Sequence, residues 1–294
     1  MIAMIGLVSG ISCWLVLIKV LKMGHPILTL DIPNHRSLHA DPKPSSGGVI
    51  VVGVALLVWV LATSLLQGWS QIHLPLLVSI LVICAAGWLD DRFEVSIRSK
   101  LLVQAAVATI FLWMVEAPLG LLFVPSLLWV VWMINLYNFM DGIDGLVISQ
   151  TILSSGVLSM WFYLQGDFST TVLCVCLAGS GVGFFLLNWC PSKIFLGDAG
   201  SLALGLIFAL LLVRGVQQGI PVLSFLLLHG VFLLDTTITL LMRILSGQNW
   251  WEPHTTHLYQ LMAQGGMTHS EVTILYMIPS ICLAIFSTYQ VLHL

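Results

Sequence analysis

The chain has very few charged residues: only 8% of its 294 residues are Asp, Glu, Lys or Arg, whereas 59% are hydrophobic. A soluble domain would carry roughly a quarter of its residues as charges, so this composition excludes an ordinary soluble protein. The mean hydropathy of +1.03 places most of the chain in apolar runs. The composition therefore predicts one polytopic membrane domain over residues 1–294.

Several other features are also missing. No basic segment precedes the first apolar run, and Lys19 and Lys22 follow it instead, which argues against a cleavable signal peptide. The six cysteines show no zinc-site or disulfide spacing, so we interpret them as small buried side chains. The sequence has no internal repeat of the kind found in inverted-repeat transporters.

Ten apolar runs are candidates for membrane spans, each needing about 20 residues. They lie near residues 2–18, 47–66, 72–89, 101–115, 118–135, 145–164, 169–187, 200–213, 219–242 and 272–293. The fourth and eighth runs are short, so their boundaries are the least well defined. The runs predict an all-α, polytopic membrane helix bundle of about ten transmembrane helices.

The distribution of charge indicates an orientation for this bundle. All but one of the ten basic residues fall on one side of it, and Arg214 falls on the other. The positive-inside rule makes the first side cytoplasmic and places both termini outside. Because most acids, histidines and asparagines belong to the same segments, we expect the active site on the cytoplasmic face.

Two adjacent carboxylates, Asp90 and Asp91, stand where the third apolar run ends, with Arg98 and Lys100 soon after. Neighbouring residues on a helix point about 100° apart, so the two acids do not face one ligand equally. One is expected to bind a ligand while the other orients it. Solvated charge at a helix end is the alternative interpretation.

A second motif has polar residues at every third position, Asn138, Asp141 and Asp144. Gly142 and Gly145 would weaken a helix here and permit a ligand to approach the backbone closely. This D-x-x-D-G pattern at a membrane boundary is hard to explain by stability alone, which favours a functional site.

A third motif runs from Asn188 to Ser201, with Asp198 between glycines at the start of an apolar run. An acid at that position can cap the helix N-terminus, with Ser201 completing the turn. That structural role is compatible with metal binding.

In a fourth motif, His254 and His257 follow Glu252 and would share a face if they were helical. Such a group suits a metal or a phosphate.

Taken together, the motifs bring five carboxylates to one membrane face. Packed together they would repel one another unless a divalent cation or a basic ligand intervened. Oxygen ligands suit Mg²⁺, with Mn²⁺ as the alternative, and Mg²⁺ usually binds one or two carboxylates plus substrate phosphates. The pattern predicts metal-assisted phosphoryl transfer at the water–lipid boundary. The carboxylates are Asp90, Asp91, Asp141, Asp144 and Asp198.

At this point the sequence resembles the polyprenyl-phosphate N-acetylhexosamine-1-phosphate transferases of glycosyltransferase family 4, which include undecaprenyl-phosphate GlcNAc-1-phosphate transferase and phospho-MurNAc-pentapeptide translocase. The resemblance begins at Asp31-Ile-Pro-Asn34-His-Arg36-Ser-Leu-His39 and ends with the segment from His254 to Gln260. It covers about 230 of the 294 residues, with the motifs in the same order.

The resemblance implies a Mg²⁺-dependent transferase of the bacterial inner (plasma) membrane. A polyprenyl phosphate such as undecaprenyl phosphate attacks the β-phosphorus of a UDP-N-acetylhexosamine, releasing UMP and initiating O-antigen or other cell-envelope polysaccharide synthesis. The expected partners are these two substrates and membrane lipid, with no nucleic acid. The oligomeric state, a homodimer included, stays open.

The resemblance also implies residue roles. Asp90, Asp91 and Asp198 are implied to be catalytic, with Asp198 and Asp91 as metal ligands. The substrate-binding residues implied are Lys100, Arg98, Asn138, Asp141, Asp144, Asn188, His254 and His257.

Three questions remain open at the sequence level. A phosphate whose second pKa is near 6 is largely dianionic at pH 7, so a general-base role for Asp90 or Asp91 is left open. Relatives often have Arg directly after the first histidine, where this chain has Thr255, and the sugar is therefore not identified. The alternative function is a membrane transporter with an acidic ion site on the cytoplasmic face, although Asp235 is the only acid well inside an apolar run.

Overall fold

The computed structural model describes residues 1–33, 41–68, 73–93, 95–115, 122–249, 252 and 254–293. These residues form twelve α-helices and one short antiparallel β-ribbon. The helices are α1 (Ile2–Met23), α2 (Gly48–Leu66), α3 (His73–Phe93), α4 (Ile97–Met114), α5 (Phe123–Phe139), α6 (Leu146–Leu164), α7 (Phe168–Asn188), α8 (Asp198–Gln217), α9 (Val222–Leu228), α10 (Gly230–Leu245), α11 (Leu258–Gln264) and α12 (His269–Leu292). The strands are β1 (Thr29–Asp31) and β2 (Lys43–Ser45), which place Thr29 opposite Ser45. Residues 34–39 of the first family-like motif lie outside the described residues.

Within the described ranges, eight helices are long and apolar enough to cross a membrane. Helices α9 and α10 form a ninth candidate, with a bend of 79° between them, and α5 is a shorter apolar helix. These ten units correspond to the ten apolar runs of the sequence. The prediction of an all-α, polytopic membrane bundle is confirmed, and the identity of the side that faces the cytoplasm stays a prediction.

The ninth run, near 219–242, forms two helices with a bend between them. Helix α9 ends at Leu228 and α10 begins at Gly230. His229 between them is buried, and its Nδ1 bonds to the backbone carbonyl of Phe225. A glycine at the start of the second segment makes continuation of the first helix less favourable. The bend carries α10 towards the end of the bundle that holds the polar motifs.

Several helices extend further into the polar motifs than the apolar runs indicated. Helix α3 continues to Phe93, α5 continues to Phe139, and α8 begins at Asp198. Hydropathy marks only the apolar part of a span, whereas a helix continues as long as its end groups find hydrogen-bond partners. Asp90, Asp91 and Asp198 therefore lie on the first or last turns of membrane helices, whereas Asp141 and Asp144 lie in the turn between α5 and α6.

Helix α8 is the most deeply buried of the candidate spans, with 89% of its most apolar window inside the bundle. It packs against α2, α3 and α5. The contact with α3 is made backbone to backbone, because a Cβ atom on Gly87 would lie only 2.4 Å from the carbonyl oxygen of Asp198. This close approach brings the acids at the end of α3 beside the start of α8.

The outer helices present apolar side chains outward. Leu7 and Ile11 of α1, Leu245 of α10 and Ile285 of α12 are all exposed. Soluble proteins rarely expose large contiguous apolar patches, whereas a surface in contact with lipid requires them. The polar motifs are confined to one end of the bundle, which we call the polar end: the end of α3, the end of α5 and the start of α8.

Candidate functional site

Asp91 holds the N-terminus of α8. Its Oδ1 accepts a hydrogen bond from the backbone N–H of Asp198 at 2.8 Å, and its Oδ2 accepts one from Ala199 at 3.4 Å. The hydroxyl of Ser46 donates to the same Oδ2 at 2.7 Å. Both carboxylate oxygens are therefore engaged with protein donors. The sequence suggested that Asp198 would cap its own helix, but the cap is supplied by Asp91 from α3.

Asp90 and Asp198 share one lysine. The ammonium of Lys100, from the first turn of α4, forms an ion pair with Asp90 and lies 3.5 Å from Oδ2 of Asp198. Asn138 donates to Oδ1 of Asp198 at 2.8 Å. The Asp90 carboxylate also accepts a hydrogen bond from the backbone N–H of Val95 at 2.7 Å. Side chains from two other helices, α4 and α5, thus contact the carboxylate of Asp198.

A cavity of about 510 Å³ opens beside this group. Lys100 and Asn138, the two partners of Asp198, line it together with Asp141. The rest of its polar wall comes from Asn135 of α5 and from the segment around His254 and His257. The remaining wall is apolar and is formed by residues of α4, α5 and α10, namely Ile97, Leu101, Leu128, Val131, Trp132 and Leu240.

Asp141 contributes a carboxylate that has no partner in the described part of the chain. Among the described residues, no hydrogen bond or ion pair to its side chain is formed. Burial raises the pKa of Asp141 well above its usual range, and the nearby carboxylates of Asp198 and Asp91 raise it further. A cationic ligand in the cavity would reverse that effect.

His254 and His257 both reach the cavity without sharing a helix. Residues 254–256 are not helical, and α11 starts only at Leu258. The two imidazole rings are stacked instead, with centroids 4.9 Å apart. Burial lowers the pKa of His254 to about 4, helped by the neighbouring charges of His257 and Arg243. His254 is therefore neutral at pH 7 in this arrangement.

Asp144 and Asn188 lie behind the cavity wall. Asp144 accepts hydrogen bonds from the backbone N–H and the hydroxyl of Ser192, at 3.0 and 2.8 Å, and His269 lies 3.5 Å away. Asn188 accepts from Gly145 at 3.1 Å and donates to the carbonyl of Ile194. Both side chains connect loops of the polar end, and neither is among the residues that line the cavity.

Asp144 also belongs to a group of three side chains whose donor atoms are close enough to hold a metal ion. Donor atoms of Asp144, Cys190 and His269 lie within 4.8 Å of one another. The Asp144 oxygens already accept two hydrogen bonds from Ser192, so we interpret this group as a structural connection.

The structure thus brings most of the predicted residues together. Asp90, Asp91, Asp198, Lys100 and Asn138 form one connected group, and Asp141, His254 and His257 face the adjoining cavity. Arg98 is exposed on the first turn of α4 and does not line the cavity.

Two residues that were not predicted help to build the site. Asp235 bonds to the backbone N–H groups of Leu258 and Tyr259, at 3.0 and 3.4 Å. The hydroxyl of Tyr259 donates to the carbonyl of Phe139 at 2.8 Å. The sequence showed Asp235 as an isolated acid in an apolar run, and only the bend at His229 reveals what it contacts.

The donor set of this site fits a hard divalent cation. Asp90 and Asp198 share a single lysine, and Asp141 has no cationic partner among the described residues. The available ligand atoms are carboxylate and amide oxygens, which suit Mg²⁺ better than softer metals.

Comparison with known proteins gives an independent view of the chain. The family model described as "Glycosyl transferase family 4" matches residues 73–216. A Bacillus subtilis protein named "Probable undecaprenyl-phosphate N-acetylglucosaminyl 1-phosphate transferase" is 26% identical over 290 residues, covering 92% of this chain and 80% of that protein. Two proteins named "Undecaprenyl-phosphate alpha-N-acetylglucosaminyl 1-phosphate transferase" are similarly related. The one from Yersinia pestis is 27% identical and the one from Salmonella typhi 26%, each covering 90% of this chain and 77% of the relative.

Proposed function

The chain belongs to glycosyl transferase family 4, and from this premise we propose that it transfers an N-acetylhexosamine 1-phosphate from a UDP-sugar to undecaprenyl phosphate. The products are a polyprenyl diphosphate sugar and UMP. The relatives are named for the same transfer with N-acetylglucosamine. In a bacterial inner membrane this reaction would initiate O-antigen or another cell-envelope polysaccharide, with the polar end facing the cytoplasm and both termini outside.

The observation that carries this proposal is the two-sided cavity. One wall presents Lys100, Asn138, Asp141 and the histidine pair, and the other is apolar. Leu128 on the apolar wall is 64% exposed on the outer surface of the bundle, so this wall is continuous with a lipid-facing surface. A substrate with a phosphate head and a prenyl chain matches both walls at once.

In the proposed reaction, an oxygen of the lipid phosphate attacks the β-phosphorus of the UDP-sugar. The bond from this phosphorus to the oxygen that bridges to the α-phosphate breaks, and UMP leaves with that oxygen. The lipid phosphate is largely dianionic at pH 7, since its second pKa is near 6, so a strong general base is not required. Positioning and charge neutralisation then provide most of the catalysis.

Asp90 and Asp198 would hold Mg²⁺ together with substrate phosphates, and the ion would neutralise their charge. Lys100 supplies a second positive charge between the same two carboxylates. We assign Asp91 the task of orienting Asp198, because both of its oxygens accept hydrogen bonds from Ser46 and the start of α8. Direct metal binding by Asp91 stays a prediction.

Release of UMP tests the proposal. The purified protein would be given undecaprenyl phosphate, Mg²⁺ and a panel of UDP-N-acetylhexosamines. We expect UMP release that needs the lipid and falls by about 100-fold or more in Asp198→Asn. Asp41→Asn serves as the matched control, since Asp41 is exposed and outside the cavity, and it should keep wild-type activity. If no donor supports UMP release and UMP itself does not bind, the proposal is wrong.

A further inference from the structure

Asp235 is a buried acid that the proposed reaction does not use. Its side chain is only 3% exposed, although it lies on α10, a membrane helix of the bent pair. Besides the backbone N–H groups of Leu258 and Tyr259, the hydroxyls of Tyr276 and Thr239 donate to it, at 2.6 and 3.2 Å. Burying a carboxylate costs free energy unless it is hydrogen-bonded. The four donors offset that cost.

One further group approaches Asp235, the imidazole of His257. Nδ1 of His257 lies 3.4 Å from Oδ1 of Asp235. Within the described part of the chain this buried Nδ1 forms no hydrogen bond, and Asp235 faces it at ion-pair distance. The same ring lines the cavity. With Nδ1 directed at the carboxylate, Nε2 is the ring nitrogen that is left for a ligand.

We propose that Asp235 is a positioning residue for His257, fixing the imidazole with a proton on Nδ1 so that Nε2 is presented to the sugar or diphosphate of the donor. The inference rests on the proposed function, because it specifies how one wall of the same cavity is kept in place. A carboxylate that binds the far nitrogen of a working histidine fixes both its tautomer and its orientation.

The contacts around His257 connect Asp235 to the other residues of the polar cavity wall. The ring of His257 stacks on Phe139 at 5.8 Å and on His254 at 4.9 Å. Tyr259, which Asp235 holds through its backbone N–H, is bonded to the carbonyl of Phe139. Asp235 thus links α10, the histidine segment and the end of α5.

A double-mutant cycle separates this role from a general contribution to folding. We expect Asp235→Asn to lower kcat/KM for UMP release by about 10- to 100-fold, the range found when a carboxylate that supports a metal-ligating histidine is removed. In a His257→Gln background the same change should cost no more than about twofold, because the residue through which Asp235 acts is already absent. An equal loss in both backgrounds would overturn the inference. Asp235→Glu, which keeps the charge and displaces it, gives a second cycle with the same expectation.

Wild-type turnover is the reference for this cycle. An error in the proposed function would therefore appear in the wild-type protein, and an error in this inference would appear only among variants of an active enzyme. Labelling with diethyl pyrocarbonate, mapped by mass spectrometry, provides a readout that needs no turnover. We expect Asp235→Ala to raise labelling of His257 at least threefold relative to His293, which is exposed at the end of α12. An unchanged ratio would show that Asp235 does not hold the ring.

Discussion

The carboxylate of Asp91 accepts a 2.8 Å hydrogen bond from the backbone N–H of Asp198, although 107 residues separate the two. The first N–H groups of a helix have no partner within the helix, and a negative charge beside them is favoured by the helix dipole. Asp91 satisfies two such groups, those of Asp198 and Ala199. The acid at the end of α3 therefore determines where α8 begins and how Asp198 is presented.

We expect Asp91→Ala to destabilise the protein and to lower its activity together. Removing a carboxylate that accepts three hydrogen bonds should lower the free energy of unfolding by about 1–3 kcal/mol. Thermal unfolding in detergent, compared with UMP release, measures both effects. Asp198→Asn is the informative comparison, since it should lose activity at nearly unchanged stability. A wild-type melting temperature for Asp91→Ala would contradict the capping role.

Lys100→Met should change the dependence on Mg²⁺ in a specific direction. The ammonium of Lys100 neutralises Asp90 and Asp198, so it competes with a cation for the same carboxylates. Without it, we expect half-maximal activity at a severalfold lower Mg²⁺ concentration, while turnover falls by about 100-fold because a phosphate contact is lost. UMP release measured across Mg²⁺ concentrations tests this, with Lys22→Met, an exposed basic residue on α1, as the control. A higher Mg²⁺ requirement would show that the ion binds elsewhere.

Hydropathy predicted the membrane bundle because a helix that crosses the lipid needs only a sufficient length of apolar residues. It did not predict the bend at His229, since the residues on both sides of that break are equally apolar. It also ended α3 before Asp90, because the partner that stabilises the last turn lies on α8. Helix ends depend on tertiary contacts, and a local reading of the chain does not contain them.

The sequence predicted many of the residues that form the candidate site, but few of the contacts between them. Clustered acids at the ends of apolar runs identified Asp90, Asp141 and Asp198 from sequence. The link between Asp144 and His269 was not predictable, because 125 residues separate them and His269 lies outside every motif. The stacking of His254 on His257 arises without the helix that their spacing suggested.

The interactions of Asp144 predict a pH dependence of stability. Burial alone would raise the pKa of Asp144, but the contacts with His269 and Ser192 outweigh it and lower this pKa from 3.8 to about 2. Because the folded-state pKa is the lower one, the stabilisation is complete above about pH 4 and is lost as the pH falls towards 2.

We therefore expect Asp144→Asn to lower the melting temperature at pH 7, and the difference from wild type to shrink below pH 4. Melting curves of both proteins between pH 3 and pH 7, over the range in which both stay folded, would measure it. Ser192→Ala, which removes one donor and leaves the acid in place, should have a smaller effect in the same direction. A difference that stays constant down to pH 3 would show that the ionised carboxylate is not the stabilising form.

Gly142 lies against the side chain of Tyr259. A Cβ atom at Gly142 would lie 2.2 Å from the hydroxyl oxygen of Tyr259, so the glycine is required by the tyrosine and not only by a ligand. We expect Gly142→Ala to displace Tyr259 from the carbonyl of Phe139 and to reduce kcat/KM by about 10-fold or more, since small displacements of a substrate-binding wall are costly.

The double variant Gly142→Ala, Tyr259→Phe tests this cause directly. Removing the hydroxyl relieves the closest contact, although the ring carbon beneath it stays at 3.0 Å, so partial recovery is expected. Tyr259→Phe alone loses only the hydrogen bond to Phe139 and should be the mildest of the three variants. Values of kcat and KM for the wild type, the two single variants and the double variant test whether the clash with Tyr259 causes the loss. If the double variant is worse than Gly142→Ala, the two changes act independently, and the glycine serves the ligand-facing loop itself.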